Sequence, residues 1–209
     1  MDREELRKNK ERVLELVRSL NVKEFTEEDK ELFISDLERM GFFTAPASIN
    51  GHQCYEGGLM CHSLNVYEAA MMLKQTFMTE RPDIFEKISD DSIIIASLFH
   101  DMCKVDLYFR KVSTQVSAPN FGRAVSPLPI GHGEKSVVML LQMGVPLSDE
   151  EICAIRWHMG AWGVNRNDSD ELANYREADK HYPLVSLIHL ADTIATKFTE
   201  RPPATINRW

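Results

Sequence analysis

Hydrophobic positions recur along this chain at the spacing of amphipathic helices. In residues 2–20, apolar side chains stand three and four positions apart among charged ones, and residues 26–40 and 59–78 repeat the pattern. Thr26 is followed by three acidic residues, which is typical of a capped helix start, and Gly41 is typical of a helix end. The first part of the chain is therefore predicted to be helical.

Helical patterns continue in the second half of the chain. They cover about residues 131–143, 148–158 and 182–198. Ser148 and Glu151 stand at the spacing of a capping box, which predicts a helix start. We therefore predict an all-α fold, organised as a helical bundle.

Two stretches between the helices lack a helical pattern. Residues 105–131 contain Gly122 and three prolines, so we predict a long loop or a small hairpin insertion there. A structureless loop of that length is uncommon in a compact domain and is often functional. Residues 160–180 are polar and are also predicted to be a loop.

The length of 209 residues suits one domain with a small addition. We predict an N-terminal helical appendage over residues 1–45 and a main helical domain over residues 46–200, whose chemistry is taken up below. Residues 201–209 begin with Arg-Pro-Pro and are predicted to be a loosely packed tail.

Composition and charge narrow the classes of partner. The apolar share is 44% and the net charge is −8, which argues weakly against binding to extended nucleic acid. A small anionic substrate stays open because a metal ion can reverse the local field.

The cysteines and the apolar runs indicate a cytoplasmic location. None of the four cysteines forms a Cys-x-x-Cys pair, so we expect reduced thiols and no structural zinc ribbon. The charged start of the chain lacks the apolar region of a secretory signal. No apolar run approaches about 18 residues, so we expect no membrane association by a spanning helix.

Residues 91–104 form the most informative stretch. Apolar residues on all sides of a helix predict that it is buried, and this one runs directly into His100 and Asp101. A buried carboxylate is costly unless it is paired or bound to a cation. The pair therefore needs partners from elsewhere in the chain.

Four histidines and two aspartates are predicted to face the core from different helices. A single such histidine is more often a satisfied core residue than a ligand, but separate hydrogen-bonded networks for six groups would be expensive. Convergence on metal ions would satisfy them together, and imidazole with carboxylate suits first-row transition metals. The predicted ligands are His62, His100, Asp101, His132, His158 and Asp192.

The order of these residues resembles the HD-domain superfamily of metal-dependent phosphohydrolases. The resemblance covers about residues 50–198 and is carried by four segments, of which Leu98–Lys104 contains the His-Asp doublet. The others are residues 55–64, 131–136 and 156–159. The Gly-Tyr-Pro signature of the branch that cleaves cyclic dinucleotides is absent, so that substrate is not assigned.

The resemblance implies a two-metal phosphohydrolase. One divalent ion would be held by His62, His100, Asp101 and Asp192, and a second by His132 and His158, with Asp101 bridging. The ions would be Mn, Fe, Ni, Co or Mg. A hydroxide between them would attack the phosphorus of a small phosphorylated substrate, with a nucleotide favoured.

The resemblance also implies a role for Lys104, one turn beyond the catalytic Asp101. We predict that it binds phosphate or donates to the leaving oxygen; a solvated lysine at a helix end is the alternative. Other residues could line the entrance to the site or support the metal ligands. They are His52, Glu56, Arg110, Lys111, Arg123 and His189, with Trp157 and Trp162 flanking His158, whereas His181 is expected on the surface.

Two other functions fit nearly the same ligand set. Di-iron oxygenases of the HD fold cleave a carbon–carbon or carbon–phosphorus bond and carry the same ligands with a following lysine. A non-catalytic nucleotide-binding module is the third interpretation, but degraded ligands would be expected there. The oligomeric state does not follow from the sequence.

Overall fold

The computed structural model describes residues 2–49, 51, 53–111 and 121–200. Within that part of the chain the fold is all-α, as predicted, with a single small sheet. The α-helices are α1 Arg3–Ser19, α2 Glu27–Met40, α3 Gly58–Phe77, α4 Pro82–Phe85, α5 Asp90–Phe99, α6 His132–Gln142, α7 Asp149–Trp157, α8 Ser169–His181 and α9 Pro183–Ile194.

Three short segments extend these helices. A 3-10 turn, Met102–Asp106, follows α5, and another, Gly160–Gly163, follows α7. The chain continues from α9 into a π-helical turn, Ala195–Thr199. Each segment begins within three residues of a predicted metal ligand, so departures from regular helix concentrate around the predicted site.

Helix α3 lies at the centre of the bundle. It packs against α5 and α9, while α7 packs against α9, α6 and α5. Helix α5 is buried on all sides, as its sequence predicts: eight of its ten residues, Ser92–Phe99, are buried. Its N-terminus is capped by the Ser89 side chain, which accepts from the Ser92 amide. Its other end delivers His100 into the core.

The predicted helix starts at Thr26 and Ser148 are confirmed. Thr26 and Asp29 form a reciprocal capping box at α2, and Ser148 and Glu151 form one at α7. Glu151 also accepts from the Ser92 hydroxyl at 2.8 Å, which ties the start of α7 to the start of α5.

The predicted hairpin is also present. Strands β1, Tyr108–Arg110, and β2, Phe121–Arg123, pair antiparallel with Phe109 opposite Gly122. Residues 112–120 of the predicted insertion lie outside the described residues, as does the predicted tail 201–209.

The prediction of a loop over residues 160–180 is wrong for most of that range. Helix α8 forms from Ser169, although among its residues only Ala178 is buried, so its apolar pattern is weak. Asp168 provides the missing signal as an N-cap, because its carboxylate accepts from the amides of Asp170 and Glu171.

Helices α1 and α2 contribute to the same hydrophobic core as the other helices. Val13 and Val17 of α1 are fully buried, and the ring of Phe33 in α2 lies 5.0 Å, centroid to centroid, from that of Phe99 in α5. The division at residue 45 stays a prediction. None of the described helices is both long and apolar enough to cross a bilayer.

Candidate metal centre

Helix ends and one helix interior bring the six predicted ligands together. His100 and Asp101 follow α5, His132 begins α6, and His158 follows α7. His62 lies in the first turns of α3 and Asp192 near the end of α9. The packing of α3, α5, α7 and α9 therefore places residues that are up to 130 positions apart in one cluster.

The donor atoms lie within metal-binding reach of one another. His62 Nε2 is 3.2 Å from His100 Nε2, 3.3 Å from Asp192 Oδ1 and 3.6 Å from Asp101 Oδ2. His132 Nε2 is 2.5 Å from Asp101 Oδ1. Three overlapping groups have their ligand atoms within 4.8 Å: His62, His100 and Asp192; His100, Asp101 and His158; and Asp101, Cys103 and His132.

Three of the imidazoles are held by their outer nitrogen and present Nε2 to the cluster. The Nδ1–H groups of His100 and His158 donate to the carbonyls of Ser97 and Ile155 at 2.8 and 2.7 Å. His62 Nδ1 donates to Glu200 Oε1 at 2.9 Å. A metal-ligating histidine characteristically uses its second nitrogen in this way, so the tautomers suit coordination through Nε2.

His158 gives the most direct test of whether a cation fits. Its side chain is 1% exposed, and its Nε2 has no hydrogen-bond partner among the described residues. Burial, with the charge of the neighbouring imidazoles, lowers the pKa of His158 to about 3. A neutral ring with a buried, unshared lone pair is what a first-row metal ligand requires. The residues present therefore fit a bound metal ion.

The local field also favours a cation. Burial disfavours protonation of His62, but Asp101, Asp192 and Glu200 raise its pKa well above the ordinary value. Burial likewise opposes protonation of His132, yet the Asp101 carboxylate raises the pKa of His132 to about 10. Three carboxylates thus create a negative potential in which positive charge is stabilised.

His132 is held differently from the other three rings. Its side chain is 33% exposed, and Cys103 Sγ lies 3.2 Å from Nδ1 and 3.7 Å from Nε2. In an in-line hydrogen bond to Nδ1, the sulfur would lie in the ring plane and much farther from Nε2 than from Nδ1. Because the two distances are nearly equal, the sulfur lies against the face of the ring. His132 is therefore the most exposed of the four imidazoles, and its Nδ1 lacks the carbonyl or carboxylate partner that the other three rings have.

Asp101 and Lys104 form an ion pair at the cluster. Burial opposes the charged form of Asp101, but the Lys104 ammonium and the neighbouring imidazoles hold the pKa of Asp101 well below its usual range. Burial also disfavours the charged form of Lys104, and the Asp101 carboxylate outweighs it and raises the pKa of Lys104. Both groups are charged at neutral pH.

A cavity of about 440 Å³ opens over the cluster. Four of the predicted ligands line it, namely His62, Asp101, His132 and Asp192, and the other lining residues are Lys104, Met159 and Thr196. The predicted phosphate-binding lysine therefore faces the same space as the predicted ligands.

Several supporting residues were not found from the sequence. Glu200 contacts His62 as described and accepts from Asn65 Nδ2 at 3.0 Å, and the Thr196 hydroxyl donates to Asp192 Oδ1 at 3.2 Å. The only sequence signal for Glu200 is its position eight residues after Asp192 on the continuation of one helix.

Two further interactions hold the cluster's helices together. Lys135 is 2% exposed, pairs with Asp106 and donates to Ser126 Oγ at 2.7 Å, which ties α6 to the 3-10 turn after Asp101. Arg156 pairs with Glu134 at 2.5 Å and so joins α7 to α6.

The lesser candidates are dispersed. His189 Nδ1 donates to the His158 carbonyl at 2.7 Å, so His189 contacts the backbone of a predicted ligand. Arg110 lies 3.6 Å from Glu56 beside a separate cavity of about 380 Å³. Exposed side chains include Lys111, Arg123, Trp162 and, as expected, His181, whereas Trp157 is buried and His52 lies outside the described residues.

Comparison with known proteins gives one informative similarity. No profile of a known protein family and no solved structure matches the chain. A segment of 72 residues is 38% identical to the dihydroneopterin 2′,3′-cyclic phosphate phosphodiesterase of Methanocaldococcus jannaschii. The match spans 32% of this chain and 26% of the relative, about a quarter of that protein's length. The chain is thus, over part of its length, a distant relative of a phosphodiesterase.

Proposed function

We propose that this protein is a metal-dependent phosphohydrolase of the HD-domain superfamily that acts on a small, nucleotide-type phosphoester. The observation that carries the proposal is the convergence of four imidazoles and two carboxylates on one cluster, in which the buried His158 Nε2 has no hydrogen-bond partner among the described residues. The partial similarity to a cyclic phosphate phosphodiesterase supports the reaction class.

We assign the ligands as the resemblance to the HD-domain superfamily implies. His62, His100, Asp101 and Asp192 would hold one divalent ion, and His132 with His158 would hold a second that shares Asp101. When bound, such ions supply Lewis acidity and a water that is acidic enough to ionise near neutral pH.

The chain's own groups position the substrate. Lys104 Nζ, which pairs with Asp101 on the cavity wall, would bind a phosphoryl oxygen and offset its charge. Glu200 and the carbonyls of Ser97 and Ile155 fix the orientations of the His62, His100 and His158 rings, so these three rings do not have to reorient during the reaction. The burial of His62, His100 and His158 keeps bulk water away from the far side of the cluster.

The activity for which the relative is named suggests the first substrate class to test. That protein is named for cleavage of a 2′,3′-cyclic phosphate, which is a strained phosphodiester. A cavity of about 440 Å³ is of the size that binds a small organic molecule. We therefore rank 2′,3′-cyclic phosphates ahead of acyclic diesters and monoesters.

The test uses chelator-treated protein reloaded separately with Mn, Fe, Co, Ni and Mg. Each form is assayed without oxygen against a 2′,3′-cyclic nucleotide, an acyclic diester and a monoester. We expect turnover of at least one compound with at least one metal. No phosphoester turnover in any arm, together with oxygen consumption when the iron form is afterwards exposed to oxygen, would contradict the proposal and favour the di-iron oxygenase.

The number of ions is tested with His132→Ala. This variant should keep one metal ion per chain where the unmodified protein keeps two, measured by elemental analysis. His181→Ala, at an exposed histidine on α8, is the matched control and should keep both. One ion per chain in the unmodified protein would contradict the dinuclear assignment.

A further inference from the structure

The π-helical turn after α9 lies beside the metal cavity. It covers Ala195–Thr199, and the amide of Glu200 donates to the carbonyl of Ala195, five residues back, at 2.9 Å. A regular α-helix would join that amide to the carbonyl four residues back. The turn therefore holds one residue more than an α-helical turn, and such turns are frequent at functional sites.

The wider turn changes which side chains share a face. At 3.6 residues per turn, the eight positions from Asp192 to Glu200 would leave the two side chains about 80° apart around the helix axis. A π-turn rotates less per residue and so closes this angle. Glu200 Oε1 lies 2.9 Å from His62 Nδ1, and Asp192 Oδ1 lies 3.3 Å from Nε2 of the same ring. The two carboxylates thus reach both nitrogens of one imidazole.

Thr196 stands midway between these two carboxylates in the sequence. Its hydroxyl donates to Asp192 Oδ1 at 3.2 Å, and this is the same oxygen that faces His62 Nε2. Its side chain also lines the cavity of about 440 Å³ over the cluster. A threonine hydroxyl in a helix ordinarily bonds the backbone carbonyl three or four residues back. Here it is used to hold a predicted metal ligand.

Asp192 has few other groups to orient it. Within the described residues, the hydrogen bonds and ion pairs that the structure gives Asp192 go to His62 and Thr196. His62 Nε2 is itself a predicted ligand, so an ion shared with Asp192 would take the place of their direct contact. Thr196 would then be the group that still fixes the carboxylate. Asp101, by contrast, is also paired with Lys104.

We infer that Thr196 is a positioning residue for the ion assigned to His62, His100, Asp101 and Asp192, and that the π-turn places it there. We refer to this ion as the first ion. The inference rests on the proposed function, whose ligand assignment supplies the ion. Outer partners of metal ligands fix the ligand orientation, and their loss typically lowers metal affinity about 10- to 100-fold.

The test removes the hydroxyl at nearly constant shape with Thr196→Val. It is made in the His132→Ala protein, in which only the first ion is expected, by isothermal titration of chelator-treated protein with Co²⁺. We expect the Kd for Co²⁺ to rise about 10- to 100-fold. Thr196→Ser keeps the hydroxyl and should restore the affinity. Thr193→Val, at an exposed threonine on the same helix, is the matched control and should bind as its parent does.

The visible absorption of bound Co²⁺ distinguishes positioning from a general loss of stability. At saturation, the band positions should differ between Thr196→Val and its parent, because the carboxylate ligand is no longer held in one orientation. Thr196→Ser and Thr193→Val should give the parent spectrum. A variant that is only less stable would bind the ion in the same geometry and keep that spectrum, which would contradict the inference.

The role of the π-turn is tested by deletion of Phe198, whose side chain is 76% exposed. The shortened turn becomes α-helical and turns Glu200 away from His62, so we expect the affinity for Co²⁺ to fall at least as far as in Thr196→Val. Phe198→Ala keeps the length of the turn and should bind normally. Normal binding by the deletion variant would overturn the role of the turn.

The possible failures can be told apart. Unchanged Kd and spectrum in Thr196→Val, or equal losses in Thr196→Val and Thr196→Ser, would overturn the inference and leave the proposed function standing. Absence of Co²⁺ binding by both the unmodified protein and His132→Ala would refute the metal assignment, and with it both the proposed function and the inference.

Discussion

At the scale of the residue, the orientation of the imidazole rings decides whether their Nε2 atoms can bind a metal. His62, His100 and His158 each donate from Nδ1 to a fixed acceptor, and only one of those acceptors, Glu200, is a charged side chain. A carboxylate partner makes an imidazole a stronger donor to a metal than a carbonyl partner does. Glu200 is therefore the supporting residue whose removal is most informative.

Glu200→Gln tests this role with little change of shape. The amide can still accept from Asn65 but lacks the negative charge beside His62, so we predict that metal affinity falls about 10- to 100-fold. Isothermal titration with the metal that supports activity measures the effect. Glu177→Gln, at an exposed glutamate on α8, is the matched control and should bind as the unmodified protein does. An unchanged affinity in Glu200→Gln would exclude the role.

Lys104→Met tests the assignment of the lysine to the substrate. Removal of the ammonium should lower kcat by about 10²–10³ through loss of charge stabilisation at the phosphoryl oxygens. The metal content should stay the same, which distinguishes this role from support of Asp101. The exposed Lys180, replaced by Met, serves as the control. A variant that loses its metal, or keeps full kcat, would argue against the assignment.

The predicted ligands could be picked out from the sequence because each lies within, or next to, a helical apolar pattern and on its predicted inward side. Their geometry could not, because it depends on contacts between distant segments. Glu200 reaches His62 across 138 positions and follows the end of the last helical pattern, where no periodicity marks its direction. Cys103 was read only as a reduced thiol, and its contact with His132 depends on the packing of α6.

Close approach of α6 and α7 is the decisive feature at the scale of the element. Gly133 follows His132 directly, and a Cβ there would lie 2.3 Å from the carbonyl oxygen of Arg156, two residues before His158. The absence of a side chain lets the two helices meet and brings the two histidines together. Arg156 and Glu134 close the same junction with an ion pair.

Gly133→Ala should separate these helices. The added methyl group has to displace backbone, so we predict a loss of about 1–3 kcal/mol in the free energy of unfolding. We also predict loss of the ion assigned to His132 and His158, with the other retained. Thermal melts and elemental analysis measure the two effects. Gln142→Ala, at an exposed position on the same helix, is the control. Retention of both ions would show that the junction tolerates the side chain.

Helix α8 shows where sequence patterns fall short at this scale. Its apolar face is so narrow that the sequence predicts a loop there. The local feature that favours the helix is the N-cap at Asp168. The capped helix starts at Thr26 and Ser148 are predictable because strong apolar patterns follow them. The hairpin was predicted from the absence of helical periodicity, but its register follows only from the pairing of Phe109 with Gly122.

At the scale of the whole molecule, one hydrophobic core connects the N-terminal helices to the helix that carries His100 and Asp101. Phe33 is fully buried and its ring contacts that of Phe99, which directly precedes His100. Residues 1–45 were predicted to be an appendage on the basis of a resemblance that begins near residue 50. Their packing suggests that they also support the buried helix α5.

Phe33→Ala measures that support. The cavity left behind should cost about 3–5 kcal/mol of unfolding free energy, and the whole protein should still unfold in one transition. Leu32→Ala, at the exposed neighbouring position, should be nearly neutral. Denaturant unfolding followed by circular dichroism gives both values. A first transition that involves only the N-terminal helices, with metal binding preserved, would instead support an independent appendage.

The central claim is that the six-residue cluster binds two cations and that these are required for phosphoester cleavage. The most direct measurement follows the rate of cleavage of a 2′,3′-cyclic phosphate as metal is added to chelator-treated protein without oxygen, beside Asp101→Ala as the ligand-deficient variant. We predict no cleavage before metal is added, a rate that rises until two equivalents are bound, and no cleavage by Asp101→Ala at any metal concentration. Cleavage that is indifferent to the chelator, or that survives in Asp101→Ala, would contradict the account.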